Sequence, residues 1–302
     1  MAFTAQDVKT LREMTNCGMM DCKKALTETD GDMDKAVEYL REKGLATAAK
    51  KAGRIAADGL VVSETFGNTG VIFEINTETD FVAKNADFQQ FVADVVKTIA
   101  DNKPADIEAL KAVKLYGDQT VGEALTEKIA TIGENMNLRR FEVFEGVNCA
   151  YVHGGGRIGV LVNFKLDDEA KAETDAFKAA AKDVAMQIAA VNAQYVKEDE
   201  VPADVVEKEK EILKAQALNE GKPEAIVEKM IVGRIKKFFK EVCLVEQEFI
   251  KDSDLSVAKY LEKVGNEIGT KIEIVKFARF EKGEGLEKKE EDFAAEVASM
   301  IK

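Results

Sequence analysis

His153 and Cys149 are the residues of this chain whose types could do covalent chemistry, and they lie close together in sequence. A thiol and an imidazole make a nucleophile only when a third group orients the base, and a metal centre needs three or four ligands. On a strand alternate residues share a face, yet no acid or third ligand stands near these two. His153 precedes three glycines, which makes it a turn or surface residue. The run "GGGRIG" (Gly154–Gly159) resembles a phosphate loop only superficially, because a phosphate loop needs Gly-Lys-Ser/Thr opening a helix and here a strand follows. No pair of carboxylates stands out from those that decorate helix faces. The expectation is therefore no catalytic residue, no metal site and no cofactor.

Binding chemistry has a better candidate in "NTETDFVAKNADFQQFV" (Asn76–Val92), where a strand-like run passes into a helix. Thr79 or Asp80 is placed to cap that helix, a bond worth about 1 kcal/mol. Phe81 and Val82 stand at its mouth. Lys84 and Asn85 interrupt the apolar stripe that continues at Phe88, Phe91 and Val95, so Phe81 fits a packing role poorly. An exposed aromatic beside an acid is a probe for a pocket in another protein.

The elements that must carry these residues follow from pattern. At 302 residues and 46% hydrophobic, the chain can bury one large core or two to three smaller ones. Its 43 Lys plus Arg against 56 Asp plus Glu leave a formal charge of -13, which disfavours direct nucleic-acid binding and anionic membranes. The basic stretch Arg234–Lys240 reads as a solvated helical face. Four cysteines without a CxxC pair fit a reducing compartment, and the start lacks a signal or transit pattern, so the cytoplasm is expected.

The first 45 residues predict three short helices: one capped by Thr4 with Val8, Leu11 and Met14 on its apolar face, a second over "MMDCKKALTET", and a third capped by Asp32 and stopped at Gly44. Residues 46–59 read as a tether. Beyond it lies a concealed duplication. A shift of 89 residues aligns Gly70–Ile75 with Gly159–Phe164 and Phe88 with Phe177, while a shift of 136 aligns Val121 with Val257, Ile132–Gly133 with Ile268–Gly269, and Phe141–Glu145 with Phe277–Glu281. The difference of 47 residues is an insertion between Ile188 and Val257, and it reads as an antiparallel helical hairpin with Val205, Ile212 and Leu213 facing Ile226, Met230, Ile231 and Phe238.

The expected architecture is α+β. A three-helix bundle and linker (1–53) precede a duplicated antiparallel-sheet and helix core (54–146 and 147–282), with the hairpin inserted at about 193–240. A C-terminal helical module (283–302) places Phe293, Val297 and Met300 or Ile301 on one face.

The stretches "LREMTNCGMMDCKKAL" (Leu11–Leu26), "TDFVAKN" (Thr79–Asn85), "HGGGRIGVLV" (His153–Val162) and "FARFEKGEGLEKKEEDFAAEVA" from Phe277 closely resemble the translation elongation factor Ts family, in that order and across nearly the whole chain. The bundle also resembles a ubiquitin-associated-type domain, as in that family. The resemblance implies a non-enzymatic guanine nucleotide exchange factor that binds elongation factor Tu, both GDP-bound and nucleotide-free. It implies that Thr79, Asp80, Phe81 and Val82 enter the partner's GTPase domain beside the nucleotide-bound magnesium. It further assigns Leu11, Arg12, Met19, Met20 and the tail helix to contacts with that domain, and the second core half near His153 to a more distant domain of the same partner. Met19 and Met20 read equally well as bundle core. In the family the hairpin can mediate self-association. A rival from another class is a scaffold or adaptor that binds peptides or clients.

Overall fold

A computed structural model describes residues 3–15, 17–221 and 223–287. The expected tail helix, with Phe293, Val297, Met300 and Ile301, lies outside the described residues. The chain divides into two compact units. One holds the described residues up to Val62, 73–141 and those from Glu281 onward; the other holds 63–72 and 142–280.

In the first unit α1 (Ala5–Thr15), α2 (Met19–Glu28) and α3 (Met33–Lys51) form the expected bundle around fully buried Leu11, Cys22, Ala25, Leu26 and Ala36. Thr4 and Asp7 cap α1 reciprocally, with Asp7 Oδ2 accepting from the Thr4 amide at 2.7 Å, and Asp32 accepts from the Lys35 amide. Two expectations fail here. Met14 is 60% exposed instead of filling the bundle. Gly44 does not stop α3, which runs on to Lys51 through much of the expected tether. The reason is tertiary: Gly44 is buried, and a Cβ there would sit 3.5 Å from the Ala130 methyl on a neighbouring helix. That helix is α7 (Val121–Ile132), and Arg41 and Lys51 of α3 reach its Glu123 and its C-terminal Gly133 carbonyl.

The remaining elements are β1 (Asp58–Phe66), β2 (Thr69–Thr77), α4 (Asp80–Ala83), α5 (Ala86–Asn102), α6 (Ile107–Ala112), the ribbon β3 (Lys114–Tyr116) and β4 (Gln119–Thr120), and, after α7, β5 (Met136–Glu145). Then follow β6 (Val147–His153), β7 (Ile158–Leu166), α8 (Asp175–Val191), α9 (Ala203–Asn219), α10 (Glu224–Val242), the ribbon β8 (Glu248–Phe249) and β9 (Asp252–Ser256), α11 (Val257–Ile268) and β10 (Ile272–Glu281). The larger sheets have orders β1-β2-β5 and β6-β7-β10, so the two halves repeat one topology.

The repetition extends to the residues that end each helix. α5 and α8 both close with a non-glycine residue in the left-handed region, Lys103 and Asn192, 89 residues apart. α7 and α11 both open on a hydroxyl cap, Thr120 and Ser256, and close on a left-handed glycine, Gly133 and Gly269, 136 apart in each case. In the second unit β6 pairs antiparallel with β7 from Val147↔Phe164 to His153↔Ile158. Val160, Val162 and Phe164 of β7 share a core with Phe177, Val184 and Ile188 of α8 and Leu261 and Val264 of α11.

The insertion is the expected hairpin of α9 and α10, but Ile212 and Ile226 face solvent rather than each other. Fully buried Ala217 and Val227 hold its distal end, and Val201, Val242 and Cys243 close its base with Val205 and Phe238 packed on them.

Candidate functional site

The segment between β2 and α5 is an eight-residue junction, residues 78–85, built as a separate turn rather than as the mouth of one continuous helix. α4 is a single turn, ended by bonds from the Lys84 amide to the Phe81 carbonyl and from the Asn85 amide to the Val82 carbonyl. Asn85, not Thr79 or Asp80, caps the long helix, accepting from the Phe88 amide at 3.1 Å. Thr79 occupies the N-cap position of α4 yet makes no capping bond with its side chain. Its hydroxyl and amide are both taken by Glu134, in the turn between α7 and β5, at 2.6 and 2.9 Å.

A second carboxylate reaches the opposite way. Glu78 accepts from the Asn135 amide at 2.6 Å and pairs with Arg54, while the Asn135 side chain donates to the Arg54 carbonyl. Lys51 donates to the Gly133 carbonyl of the same turn. Two adjacent turns are thus tied by reciprocal hydrogen bonds to charged groups, the stronger kind.

On this base Val82 points inward, 6% exposed, and Phe81 points out, 78% exposed. Leaving a Phe side chain in water forgoes about 1.5–3 kcal/mol of burial, so packing of this chain does not account for Phe81's placement. Asp80 pairs with Lys84 at 2.6 Å, and the Lys84 ammonium stands 5.9 Å from the Phe81 ring centroid. The Lys84 hydrogen bond holds the Asp80 carboxyl below the usual carboxylate range, so an ionised acid flanks the exposed ring at neutral pH.

The other candidates are dispersed. Leu11 is fully buried in the bundle, whereas Arg12 is exposed, and Met19 and Met20 are 58% and 73% exposed rather than core. Met14 and Leu45 are exposed as well and line a cavity of about 540 Å³ with Leu40, Gly44, Glu123 and Ala130. The sequence reading passed over Leu45 and Glu134; nothing in local pattern marks either, since both roles depend on contacts remote in sequence.

His153 ends β6 on the surface, with Nδ1 3.0 Å from the Tyr151 hydroxyl. Burial pushes the Cys149 thiol up to about 11, so it stays protonated and inert at neutral pH. Among the described residues no cluster of three or more His, Cys, Asp or Glu could hold a metal ion, and no helix is long and apolar enough to cross a membrane.

Comparison with known proteins bears on the whole chain. The family model described as "Elongation factor TS" matches residues 78–284, which begin at the junction itself. The elongation factor Ts of Syntrophotalea carbinolica is 54% identical over 306 residues, covering 100% of both chains. That of Clostridium perfringens is 57% identical, covering 99% of each, and that of Clostridium novyi is 56% identical, covering 99% of this chain and 98% of the relative. With relatives this similar from end to end and the family model spanning more than half its length, the chain belongs to the elongation factor Ts family, the nucleotide exchange factors of translation elongation.

Proposed function

We propose that this chain binds elongation factor Tu, GDP-bound and nucleotide-free, and speeds GDP release by disturbing the magnesium site with the 78–85 junction. The observation that carries the reading is the exposure of Phe81 on a turn that is itself tied down at both ends. A rigid aromatic loses little entropy on entering a pocket and is the commonest kind of interface anchor. Phe81 wedges into an apolar crevice and shifts a switch element, while ionised Asp80 perturbs the groups around the cation. Loss of magnesium uncovers phosphate repulsion and weakens the nucleotide.

Linkage supplies the rest. A protein that prefers the nucleotide-free partner lowers its GDP affinity by the same factor, each tenfold amounting to about 1.4 kcal/mol. GTP reverses the process by displacing the factor, and this chain performs no covalent chemistry.

In this reading Val82 and Leu11 support the contact surfaces from beneath, being buried, while Arg12, Met19 and Met20 touch the GTPase domain and His153 a more distant domain. The functional modules are residues 1–53, 54–146, 147–282 and 283–302, acting in the cytoplasm without nucleic acid or membrane. Exposed Ile212, Leu218, Ile226 and Val232 on the hairpin support self-association, which the solution mass of the free chain tests. The exchange reading is tested by release of fluorescent GDP from purified elongation factor Tu. Acceleration by catalytic amounts of this chain is expected, whereas an adaptor leaves the rate unchanged.

A further inference from the structure

We infer that Glu134 is the positioning residue of the exchange junction: its carboxylate, by accepting both the Thr79 amide and the Thr79 hydroxyl, aims Phe81. The inference rests on the proposed role of Phe81 and adds to it the residue that makes that role possible.

Phe81 cannot be held by its own packing, since it is 78% exposed. Its turn is four residues long and has no side-chain cap. The direction of the ring is therefore set by the backbone on either side. On the C-terminal side the Asn85 cap and buried Val82 fix it. On the N-terminal side the chain between β2 and the ring is held at Glu78, whose carboxylate accepts from the Asn135 amide, and then at Thr79, nearer the ring, by its two bonds to Glu134 and by that of Thr77 Oγ1 to the Thr79 carbonyl at 2.7 Å. A threonine held at both its amide and its hydroxyl has its χ1 fixed, the Thr77 bond to its carbonyl restrains ψ, and Phe81 follows two residues later.

The duplication supplies an internal control. At the 89-residue offset the second half has a junction of equal length, 167–174, in which Asp168 stands for Thr79 and Ala170 for Phe81. At the 136-residue offset Thr270 stands for Glu134. The Asp168 amide donates to Thr270 Oγ1 at 3.0 Å and the Asp167 amide to the Lys271 carbonyl at 3.3 Å, so the fold closes this pair of turns with neutral bonds. Closing the turns does not require a carboxylate. The half with a charged acceptor that takes two bonds is the half with an aromatic to aim; a purely structural role for Glu134 leaves that difference unexplained.

The decisive variant borrows the second half's own solution, Glu134→Thr, compared with Glu134→Gln and Phe81→Ala. Glu134→Thr is expected to keep its unfolding midpoint within about 3 °C of the parent. Its maximum rate of GDP release from elongation factor Tu should fall about tenfold, a factor typical of losing one charged hydrogen bond. Its half-saturating concentration should change less than about twofold, because the docking surfaces are intact. Glu134→Gln, which can still accept from the amide and donate to the hydroxyl, should recover most of the rate.

In the free chain, amide hydrogen exchange at residues 79–82 should quicken in Glu134→Thr and not in Phe81→Ala, a readout that needs no partner. Full exchange activity in Glu134→Thr with loss in Phe81→Ala overturns the inference and leaves the function standing. Full activity in both overturns both. A midpoint lowered by more than about 10 °C in Glu134→Thr and Glu134→Gln alike makes Glu134 a structural residue and likewise overturns the inference.

Discussion

The junctions 78–85 and 167–174 occupy the same place in two copies of one topology, each leading from the middle strand of a sheet into a long capped helix. Asn85 and Thr174 cap α5 and α8 at matched positions, accepting from Phe88 and Phe177. Between strand and cap the two diverge. In the first half the chain makes one α-turn and puts a phenylalanine into solvent; in the second it makes a 3-10 turn over Glu169–Glu173, capped by Asp168, with Ala170 exposed. The strands beneath diverge as well. Buried Glu74 on β2 binds Arg139 at 2.8 Å, Arg140 at 2.7 Å and the Gly283 amide at 2.8 Å, whereas its counterpart on β7, Asn163, is satisfied by the carbonyls of Glu145 and Val147 and by Asn148. Positions that end helices match in the two halves because φ, ψ and orphaned amides demand it; the outward-facing Phe81 and Ala170 differ because the fold asks nothing of them, and buried Glu74 and Asn163 differ because each is satisfied by the partners of its own half.

Removing Glu74 is the largest way to sharpen this contrast. Glu74→Ala leaves two arginines facing a buried void and should cost about 3–5 kcal/mol in denaturant unfolding, whereas Asn163→Ala, losing neutral bonds, should cost about 1–3 kcal/mol. Equal costs would show that charge does not distinguish the halves. Next in size, Phe81→Ala should lower the maximum GDP release rate about 30-fold or more, the scale of an aromatic anchor worth at least 2 kcal/mol, without lowering the unfolding midpoint.

A smaller effect separates the halves by pH. Burial pushes the Glu74 carboxyl up, but the bonds from Gly283, Arg139, Asn76 and Arg140 together outweigh it and hold it below the ordinary glutamate value. A folded-state value below the unfolded one gives stability that is complete above the unfolded value and is lost as pH falls through the folded one. Stability measured from neutral to strongly acidic pH should therefore decline less steeply in Glu74→Gln than in the parent, while Asn163→Ala leaves the slope as it was. The smallest expected effect is none: Ala170→Phe puts a ring into the second junction and should restore no exchange to Phe81→Ala, because that turn has a different backbone and no bidentate clasp.

Much of this was legible in the sequence. The two constant offsets located the duplicated elements closely: β2 and β7 begin and end 89 residues apart, and α7, β5, α11 and β10 keep the 136-residue offset. The surplus between the offsets located the hairpin. Phe81 was marked by the polar pair that cuts it off from Phe88. The errors share one cause, the use of local rules where distant contacts prevail. Gly44 satisfies the rule for a helix end, but packing against Ala130 keeps α3 going. Thr79 satisfies the rule for a cap, but Glu134 takes both its polar groups. Met14 keeps the period of the α1 stripe, yet it lies past the bundle's core.

The order of elements, the repeat and the residue to expose were determined by the chain itself, because capping, apolar period and left-handed backbone are properties of a few neighbouring residues. Which direction Phe81 faces, and whether Glu74 stays ionised out of water, was decided only when residues dozens to hundreds of positions apart met. Hydrogen bonds between such residues depend on distances that sequence spacing does not contain.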